Sequence, residues 1–575
     1  MNYHGFFFLF AVISLVLLQS CQPSDSQSPD LIITNASIYT ASESKGSAVA
    51  VADGKIIAIG DDATILSTKG DNTKHLDANG RFLMPGFIEG HGHFSGLGTT
   101  LQNLFFLSDT TWTQAINKVK EKAGELEDGE WIYGRGWHQE KWVEAPEASF
   151  GGYPTHEELS AISPNNPVLL THASGHSLFA NQKAMEAAGI NIETADPKGG
   201  KIIRDGSGQA IGVFEERAMN PILEAYNAYK NELNEDEQTK LWYAAIDLAQ
   251  NQCLEHGVTS FQDAGAKFWE HERYNGMAEK GDLDIRLWSM VRHSSVEMDG
   301  KVGQYRKIGV GDNHYTCRAI KTEVDGALGA HGAWLIEPYE DKPGFYGQNT
   351  TDIDEVEKIA AIADRNNMQL CVHAIGDRAN KEMLDIIESY NDSTNNKRWR
   401  IEHAQHLHPG DIMRFKSTGA IASMQAIHCT SDAPFVVKRL GQLRAKIGAY
   451  AWKALLNEGV KIVNGTDVPV EEIDPIENFY ATVTRTRVDN GMRFFVEQKM
   501  NREQALRSYT IDAAYGAFEE DIKGSIDVGK LADFVLLSNN LLTCTDIDIL
   551  DTEVLATIVG GQIKYKSEST QYDID

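Results

Sequence analysis

The sequence is poor in cysteine and in positive charge. Its 575 residues include six cysteines and no C-x-x-C pair, so neither a disulfide framework nor a thiolate zinc site is expected. Lys and Arg number 53 against 82 Asp and Glu, a net charge of −29. Such a surface repels phosphate backbones, so nucleic acid is not an expected partner. Apolar residues at 42% and charged residues at 23% indicate a globular chain rather than a disordered or multi-pass membrane protein.

One long apolar run stands near the start of the chain. Residues 5–18 (GFFFLFAVISLVLL) have the length of a signal-peptide core and are short for a membrane span. The following Leu18-Gln19-Ser20-Cys21 resembles the lipobox of bacterial lipoproteins, in which the cysteine is lipidated. The first four residues lack Lys and Arg, which departs from that pattern, and an ordinary cleaved signal is the alternative. We expect a signal peptide over 1–20, a flexible tether over 21–30, and export to the bacterial cell envelope with a lipid anchor on Cys21.

The two ends of the mature chain have a similar β-rich pattern. Short alternating apolar runs occupy residues 31–85, with Asp53-Gly54 as a predicted hairpin turn. Near the other end, Gly560-Gly561 is a second predicted hairpin turn between two apolar runs. We therefore expect residues 31–85 and 516–570 to form one discontinuous β-sandwich domain.

The middle of the chain alternates strand and helix patterns. Eight buried strands are predicted, in the segments FLMPGFIEGHGH, GVTSFQDAG, DIRLWSMVR, RAIKTEVDG, MQLCVHAIGD, WRIEHAQH, GAIASMQAIH and GVKIVNGTD. Eight such units predict an α/β fold, a (β/α)8 TIM barrel over 86–515. The gap after the first strand, about residues 100–250, is too long for a loop, so it predicts an inserted subdomain that is rich in helix near its end.

Several of these apolar strands end in residues that bind metals. His91 and His93 follow the first strand and point the same way in an extended chain. His373 and His403 end the fifth and sixth strands, and Asp467 follows the eighth. Chemistry in barrels sits at the C-terminal ends of the strands, and imidazole suits zinc and similar metals. For Asp467 the alternative is an N-cap of the following helix.

Lys321 lies inside the fourth apolar strand, where a charged amine is costly unless it is paired or neutral. One interpretation is a salt bridge to Asp325. The other is that burial and nearby cations depress its pKa, so that the neutral amine adds carbon dioxide and the carbamate bridges two metal ions.

The order of these motifs resembles that of the amidohydrolase superfamily, specifically the amidohydrolase-3 branch that includes N-substituted formamide deformylases. The matching segments are PGFIEGHGH, GRGWHQEKW, KTEVDGALG, VHAIGDRAN, RIEHAQH, NGTDVPVEEIDP and GSIDVGKLADFVLL. Glu89-Gly90 departs from the commoner Asp-Ser or Asp-Thr. The resemblance implies one or two divalent metal ions, zinc first and iron(II) or manganese as alternatives. By this resemblance the ligands are His91, His93, Lys321, His373, His403 and Asp467.

A site of this kind predicts hydrolysis of a C–N bond in a small amide-type substrate. Metal-activated hydroxide attacks the carbonyl, and Asp467 carries the proton to the leaving amine. His428, at the end of the seventh strand, and His176, in the insertion, are the candidate substrate-binding residues. The alternatives are a cyclic-imide hydrolase or metallopeptidase of the same superfamily and, from another class, a non-catalytic metal-stabilised solute-binding lipoprotein. The sequence leaves a homo-oligomer open.

Overall fold

The computed structural model describes residues 28–106, 109–137, 139, 142–143, 146, 149–172, 177–198, 200–329, 331–390 and 397–568. The predicted signal peptide, Cys21 and His176 lie outside these residues. No helix within the described ranges is long and apolar enough to cross a membrane.

Eight parallel strands form a nearly closed barrel, which confirms the predicted α/β barrel. Barrel strands 1 to 8 are Phe87–Gly92, Val258–Ala266, Arg286–Val291, Tyr315–Glu323, Gln369–Ala374, Arg400–His403, Ile421–Met424 and Ile462–Asn464. Each strand pairs in parallel with the next one. Strands 8 and 1 have no ladder pairing among the described residues. Hydrogen bonds just beyond them join this seam, from Asp467 N to His91 O at 2.8 Å and from His93 N to Val468 O at 2.7 Å.

Helices cover the outside of the barrel because their apolar positions recur every three or four residues. In Ile353–Arg365 the residues Val356, Ile359, Ala360 and Ala363 are buried. The other helices from the second strand unit onward are Glu235–Glu255, Phe268–Lys280, Ser295–Met298, Val310–Asn313, Asp377–Ser389, Ile412–Thr418, Ala426–Ser431, Ala433–Leu440, Gln442–Gly448, Trp452–Asn457, Pro475–Thr484, Arg502–Ser508 and Ile511–Gly516. A short strand, Lys307–Gly309, pairs with barrel strand 4.

Helix Ile511–Gly516 closes the lower end of the barrel, opposite the ends of the strands that carry the histidines. Its carbonyl oxygens accept hydrogen bonds from side chains inside the barrel. Gln262 Nε2 donates to Ala513 O and Gln369 Nε2 donates to Gly516 O, both at 2.9 Å. These two hydrogen bonds hold the helix against strands 2 and 5.

Strands from both chain ends form two further sheets. One has Leu31–Thr34, Ala48–Ala52, Lys55–Gly60 and Lys74–Asp77, with helix Asp62–Leu66 beside it; the other has Ser37–Ile38, Phe82–Pro85, Phe534–Leu537, Val554–Val559 and Gln562–Lys566. One apolar cluster contains side chains of both sheets, including Leu31, Leu83 and Phe534. Phe82–Pro85 pairs antiparallel with Phe534–Leu537, so the first half of the first predicted barrel strand belongs to this sheet and not to the barrel.

The insertion contains a six-stranded mixed sheet that the sequence analysis did not anticipate. Its strands, in spatial order, are Gly200–Arg204, Ala210–Glu216, Ser177–Ala180, Val168–His172, Ile132–Trp137 and Leu104–Phe105. The insertion also contains a hairpin of Ser149–Phe150 and Tyr153–Pro154. Its helices are Phe94–Leu101, Trp112–Glu125, His156–Ile162, Gln182–Ala187 and Asn220–Glu232. The expected helix near its end is Glu235–Glu255. Short apolar runs such as VLLTH and SLFA fit a strand or a buried helical turn equally well, so periodicity alone did not identify the sheet.

Candidate metal centre

Strands 1 and 8 bring two histidines to one carboxylate. His91 Nε2 lies 3.6 Å from Asp467 Oδ1, and His93 Nε2 lies 3.3 Å from the same oxygen. Asp467 is in the left-handed region, with φ at 61°, which turns the chain directly after strand 8. The ligand atoms of the three side chains lie within 4.8 Å of one another, close enough to hold one metal ion.

The neighbouring strands add three histidines to this group. The ring of His403 lies 4.8 Å from that of His91 and 4.4 Å from that of His373, measured between centroids. Ligand atoms of His403, His428 and Asp467 also lie within 4.8 Å of one another. The four predicted histidine ligands and Asp467 therefore meet at the C-terminal ends of strands 1, 5, 6 and 8.

Hydrogen bonds donated by their Nδ1 atoms orient two of these imidazoles. His91 Nδ1 lies 2.5 Å from Glu402 Oε2, and His403 Nδ1 lies 2.7 Å from Gln425 Oε1. Carboxylate and amide oxygens only accept hydrogen bonds, so each Nδ1 carries the hydrogen and each Nε2 keeps its lone pair. A histidine that binds metal through one ring nitrogen usually donates the hydrogen of the other nitrogen to such an oxygen.

Buried polar atoms of the site without a hydrogen-bond partner among the described residues include His91 Nε2, His373 Nε2, His428 Nε2 and Asp467 Oδ1. Such atoms also occur singly elsewhere among the described residues, but several atoms of the metal-ligand type that meet at one point indicate a site for an ion or water. Imidazole nitrogen and carboxylate oxygen suit zinc and other borderline divalent metals. The residues present therefore fit the metal ion that the sequence predicts.

Burial sets the charge of the site. It lowers the pKa of His91 to about 4 and that of His373 to about 3, and the positive charge of Lys321 adds to both shifts. Burial alone raises the pKa of Asp467, but His93, whose Nε2 lies 3.3 Å from Oδ1, and the neighbouring rings of His91 and His403 outweigh it, so the net pKa lies well below the ordinary value. The site thus combines neutral imidazoles, the form that binds metal, with an ionised carboxylate.

Lys321 is 4% exposed on strand 4, and its Nζ donates to Ala264 O at 3.5 Å. Burial lowers its pKa, and it makes no ion pair with any described residue. The alternative of a salt bridge to Asp325 is wrong, because the Asp325 carboxylate accepts backbone hydrogen bonds from Trp334, Ile375 and Gly376 at 2.8–2.9 Å. No described contact therefore neutralises the buried lysine.

The alternative interpretation of Asp467 as a helix N-cap is also wrong. Helix Pro475–Thr484 is capped by Asp474, whose carboxylate accepts from the backbone N–H groups of Ile476 and Glu477. Asp467 is consequently free to face the histidines.

His428 lies beside this group, and its ring centroid is 6.2 Å from that of His403. Gln405 Nε2 lies 3.1 Å from His428 Nδ1, and an amide N–H only donates, so His428 Nδ1 accepts and Nε2 carries the hydrogen. His428 Nε2 is buried and has no hydrogen-bond partner in the described part of the chain. The other predicted substrate-binding residue, His176, lies outside the described residues.

Sequence reasoning missed the residues that support the histidines, namely Glu402, Arg400, Gln425 and Gln405. Arg400 and Glu402 alternate within the four-residue strand 6, and both are fully buried. A charge inside a buried strand, the feature that marks Lys321, also marks these two residues and was the available signal. The partner of Gln425 is His403, at the end of strand 6. The partner of Gln405 is His428, which lies in helix Ala426–Ser431 and not at the end of strand 7 as predicted, so no spacing in the sequence reveals either pair.

Comparison with known proteins agrees with this geometry. The model of the amidohydrolase family matches residues 74–565. The protein LONG AFTER FAR-RED 3 of Arabidopsis thaliana is 31% identical over 95% of this chain and 94% of its own, and the N-substituted formamide deformylase of Arthrobacter pascens is 26% identical over 94% and 99%. The crystal structure of an uncharacterized metal-dependent hydrolase from Pyrococcus furiosus superposes with a TM-score of 0.69 at 26% identity, covering 89% of this chain and 100% of that one. The chain therefore belongs to the amidohydrolase family, as a metal-dependent hydrolase.

Proposed function

We propose that this protein hydrolyses the C–N bond of a small amide-type substrate at the C-terminal mouth of its barrel. The observation that carries the proposal is the group of buried ligand atoms without partners, His91 Nε2, His373 Nε2 and Asp467 Oδ1. His91, His93, His373, His403, Lys321 and Asp467 would hold one or two divalent ions, zinc first and iron(II) or manganese as alternatives. When bound, the metal lowers the pKa of water and polarises a carbonyl group.

Asp467 moves the proton in this proposal. Its low pKa keeps the carboxylate ionised, so it can accept a proton from the attacking water and return it to the leaving nitrogen. The departing group then leaves as a neutral amine rather than as a deprotonated, negatively charged amine.

His428 is the proposed donor to the substrate oxygen. The hydrogen bond from Gln405 puts the hydrogen of this imidazole on Nε2, which has no partner among the described residues. A preorganised N–H at this point would stabilise negative charge that develops on the carbonyl oxygen. His176 is proposed as a second substrate contact from the insertion.

Lys321 is proposed to carry a carbamate. Its neutral amine attacks carbon dioxide, one N–C bond forms, one proton is released, and the product is an anionic ligand able to bridge two metal ions. Two metal equivalents in the wild-type protein and one in Lys321→Ala would support this role. Two equivalents in both proteins would contradict it.

N-substituted formamides are the first substrates to screen, because one similar protein is named an N-substituted formamide deformylase. The experiment is elemental analysis of protein purified without chelator or histidine tag, followed by assays on N-formyl amines, N-acyl amino acids and cyclic imides. We expect bound zinc or iron and amide hydrolysis that disappears with chelator and returns with metal. Absence of metal after zinc addition would overturn the proposal and favour a non-catalytic binding lipoprotein.

We also propose that the protein is exported and anchored to a membrane through Cys21. The support is the apolar run and the LQSC sequence of residues 18–21. Radiolabelled palmitate should enter the wild-type protein and not Cys21→Ala, which should leave the membrane fraction. Equal labelling of both proteins would contradict the anchor.

A further inference from the structure

A buried arginine links four strands directly beneath the candidate metal centre. Arg400, on strand 6, donates from Nη1 to Gln262 Oε1 on strand 2 at 2.5 Å. Its Nη2 donates at 2.7 Å to Gly90 O on strand 1 and to Ser423 Oγ on strand 7. The guanidinium therefore fixes the relative positions of four barrel strands from the inside.

The same arginine holds Glu402, two residues along strand 6. Arg400 Nε lies 2.7 Å from Glu402 Oε1, and Nη2 donates to Oε2 at 3.1 Å. The Glu402 Oε2 atom also accepts from His91 Nδ1 at 2.5 Å. Both charged side chains are fully buried, so the ion pair at Oε1 and the hydrogen bonds at Oε2 together restrict the rotamer of the carboxylate.

We propose that Arg400 and Glu402 are positioning residues for His91. Glu402 fixes the hydrogen on His91 Nδ1 and directs the Nε2 lone pair towards Asp467, and Arg400 fixes Glu402. The hydrogen bond from Arg400 Nη2 to the main-chain oxygen of Gly90 holds the strand that carries His91. One ion pair therefore positions both the ring and the backbone of His91. This inference rests on the proposed function, because a metal ion is what the oriented Nε2 would bind.

The alternative is a purely structural ion pair, and the chain offers a matched control for it. Arg286 on strand 3 makes a bidentate pair with Asp533, from Nε to Oδ2 at 2.7 Å and from Nη2 to Oδ1 at 2.9 Å. This pair is also buried, and none of its described contacts involves a predicted ligand. Glu402→Gln and Asp533→Asn each replace the carboxylate of a buried arginine pair by an amide.

The test is the zinc dissociation constant of the wild type, Glu402→Gln and Asp533→Asn, measured by competition with a chromophoric chelator. We expect Glu402→Gln to bind zinc about 10- to 100-fold more weakly, the size typical for outer partners of metal ligands. Asp533→Asn should bind zinc as the wild type does, even where its stability falls. The visible spectrum of the cobalt(II)-loaded proteins gives a second readout, which should change in Glu402→Gln alone.

Equal zinc affinity in the wild type and Glu402→Gln would overturn the inference and leave the proposed function intact. Equal weakening in both variants would also overturn it, because loss of any buried pair would then suffice. A wild type that binds no zinc would overturn the proposed function itself. If Glu402→Gln does not fold, Glu402→Asp keeps the charge but shortens the reach, and about tenfold weaker binding is expected of it.

Discussion

The two ends of the barrel treat buried aspartates in opposite ways. At the lower side, both oxygens of Asp533 are occupied, by Arg286 and by the backbone N–H of Gly560 at 2.9 Å. At the mouth, Asp467 is equally buried, yet its Oδ1 has no hydrogen-bond partner among the described residues. A buried polar group costs free energy unless it is satisfied. Hydrogen bonds within the protein satisfy Asp533 at the lower side, whereas Oδ1 of Asp467 at the mouth remains available to a ligand.

The difference shows how a candidate metal site, such as that of Asp467, is distinguished from a structural ion pair, such as that of Asp533 with Arg286. Both ends contain carboxylates whose net pKa is lowered against burial, by Arg286 at Asp533 and by histidines at Asp467. Lowered pKa values alone therefore do not mark the site. What marks it is the convergence of unpaired lone pairs from several strands.

The largest expected effect is on turnover in Asp467→Asn. The amide cannot accept the proton, so kcat should fall about 100- to 10,000-fold. Asp533→Asn should keep the wild-type kcat per folded molecule. Steady-state kinetics on the first substrate identified would measure both, and comparable kcat losses in the two variants would remove the distinction between the two ends.

The next effect is on the free energy of unfolding. Here Asp533→Asn, and not Asp467→Asn, should show the larger loss. Asp533→Asn leaves the Arg286 charge buried without its carboxylate, which costs about 3–5 kcal/mol. Asp467→Asn loses the contact with His93 but leaves no buried guanidinium unpaired, so it should cost less than Asp533→Asn. Urea unfolding followed by circular dichroism, with chelator present in all samples, tests this ranking.

The cost in Asp533→Asn should depend on pH. The folded pKa of Asp533 is lowered because the Arg286 charge outweighs burial. A lowered folded pKa adds stability above the unfolded pKa of about 4, and this stability is lost as the pH falls through the folded pKa. The stability gap between the wild type and Asp533→Asn should therefore be widest near neutral pH and narrow below about pH 4. A gap that is constant from pH 7 to pH 3 would contradict the assignment.

Metal removal should affect the two variants differently. A ligand present at 100 times its dissociation constant stabilises the folded state by about 2.7 kcal/mol. Chelator should therefore lower the melting temperature of the wild type and of Asp533→Asn by similar amounts. Asp467→Asn, with a weakened ligand set, should lose less. Calorimetry with and without chelator distinguishes these outcomes.

The smallest predicted effect concerns the seam between strands 8 and 1. A Cβ atom at Gly465 would lie 2.3 Å from Glu89 Oε1 and 2.5 Å from His91 N. Glu89 accepts hydrogen bonds from His91 N within strand 1 and from Thr466 N across this seam. Gly465→Ala should therefore cost about 1–3 kcal/mol through overpacking.

Gly276→Ala is the control, because Gly276 lies within helix Phe268–Lys280 and a Cβ there meets nothing within 4 Å. This substitution should be neutral or stabilising. A loss of stability in Gly276→Ala as large as that in Gly465→Ala would refute the steric explanation.

The sequence by itself determined the barrel and its candidate ligands. Eight apolar strands ending in polar residues, and the spacing of His91, His93, His373, His403 and Asp467, depend on local periodicity and on the rule that parallel strands end at one edge. Lys321 stood out because a charge in an apolar strand is conspicuous.

Only the tertiary structure decided which buried polar groups are satisfied and which are open. The partners of Glu402 and Arg400 lie on strands 1, 2 and 7, up to 311 residues away in the chain. Asp325 and Asp474 accept hydrogen bonds from backbone amides, which excludes the two simpler interpretations of Lys321 and Asp467. Hydrogen bonding is short-ranged and directional, so it is set by the packing of strands that no local pattern encodes.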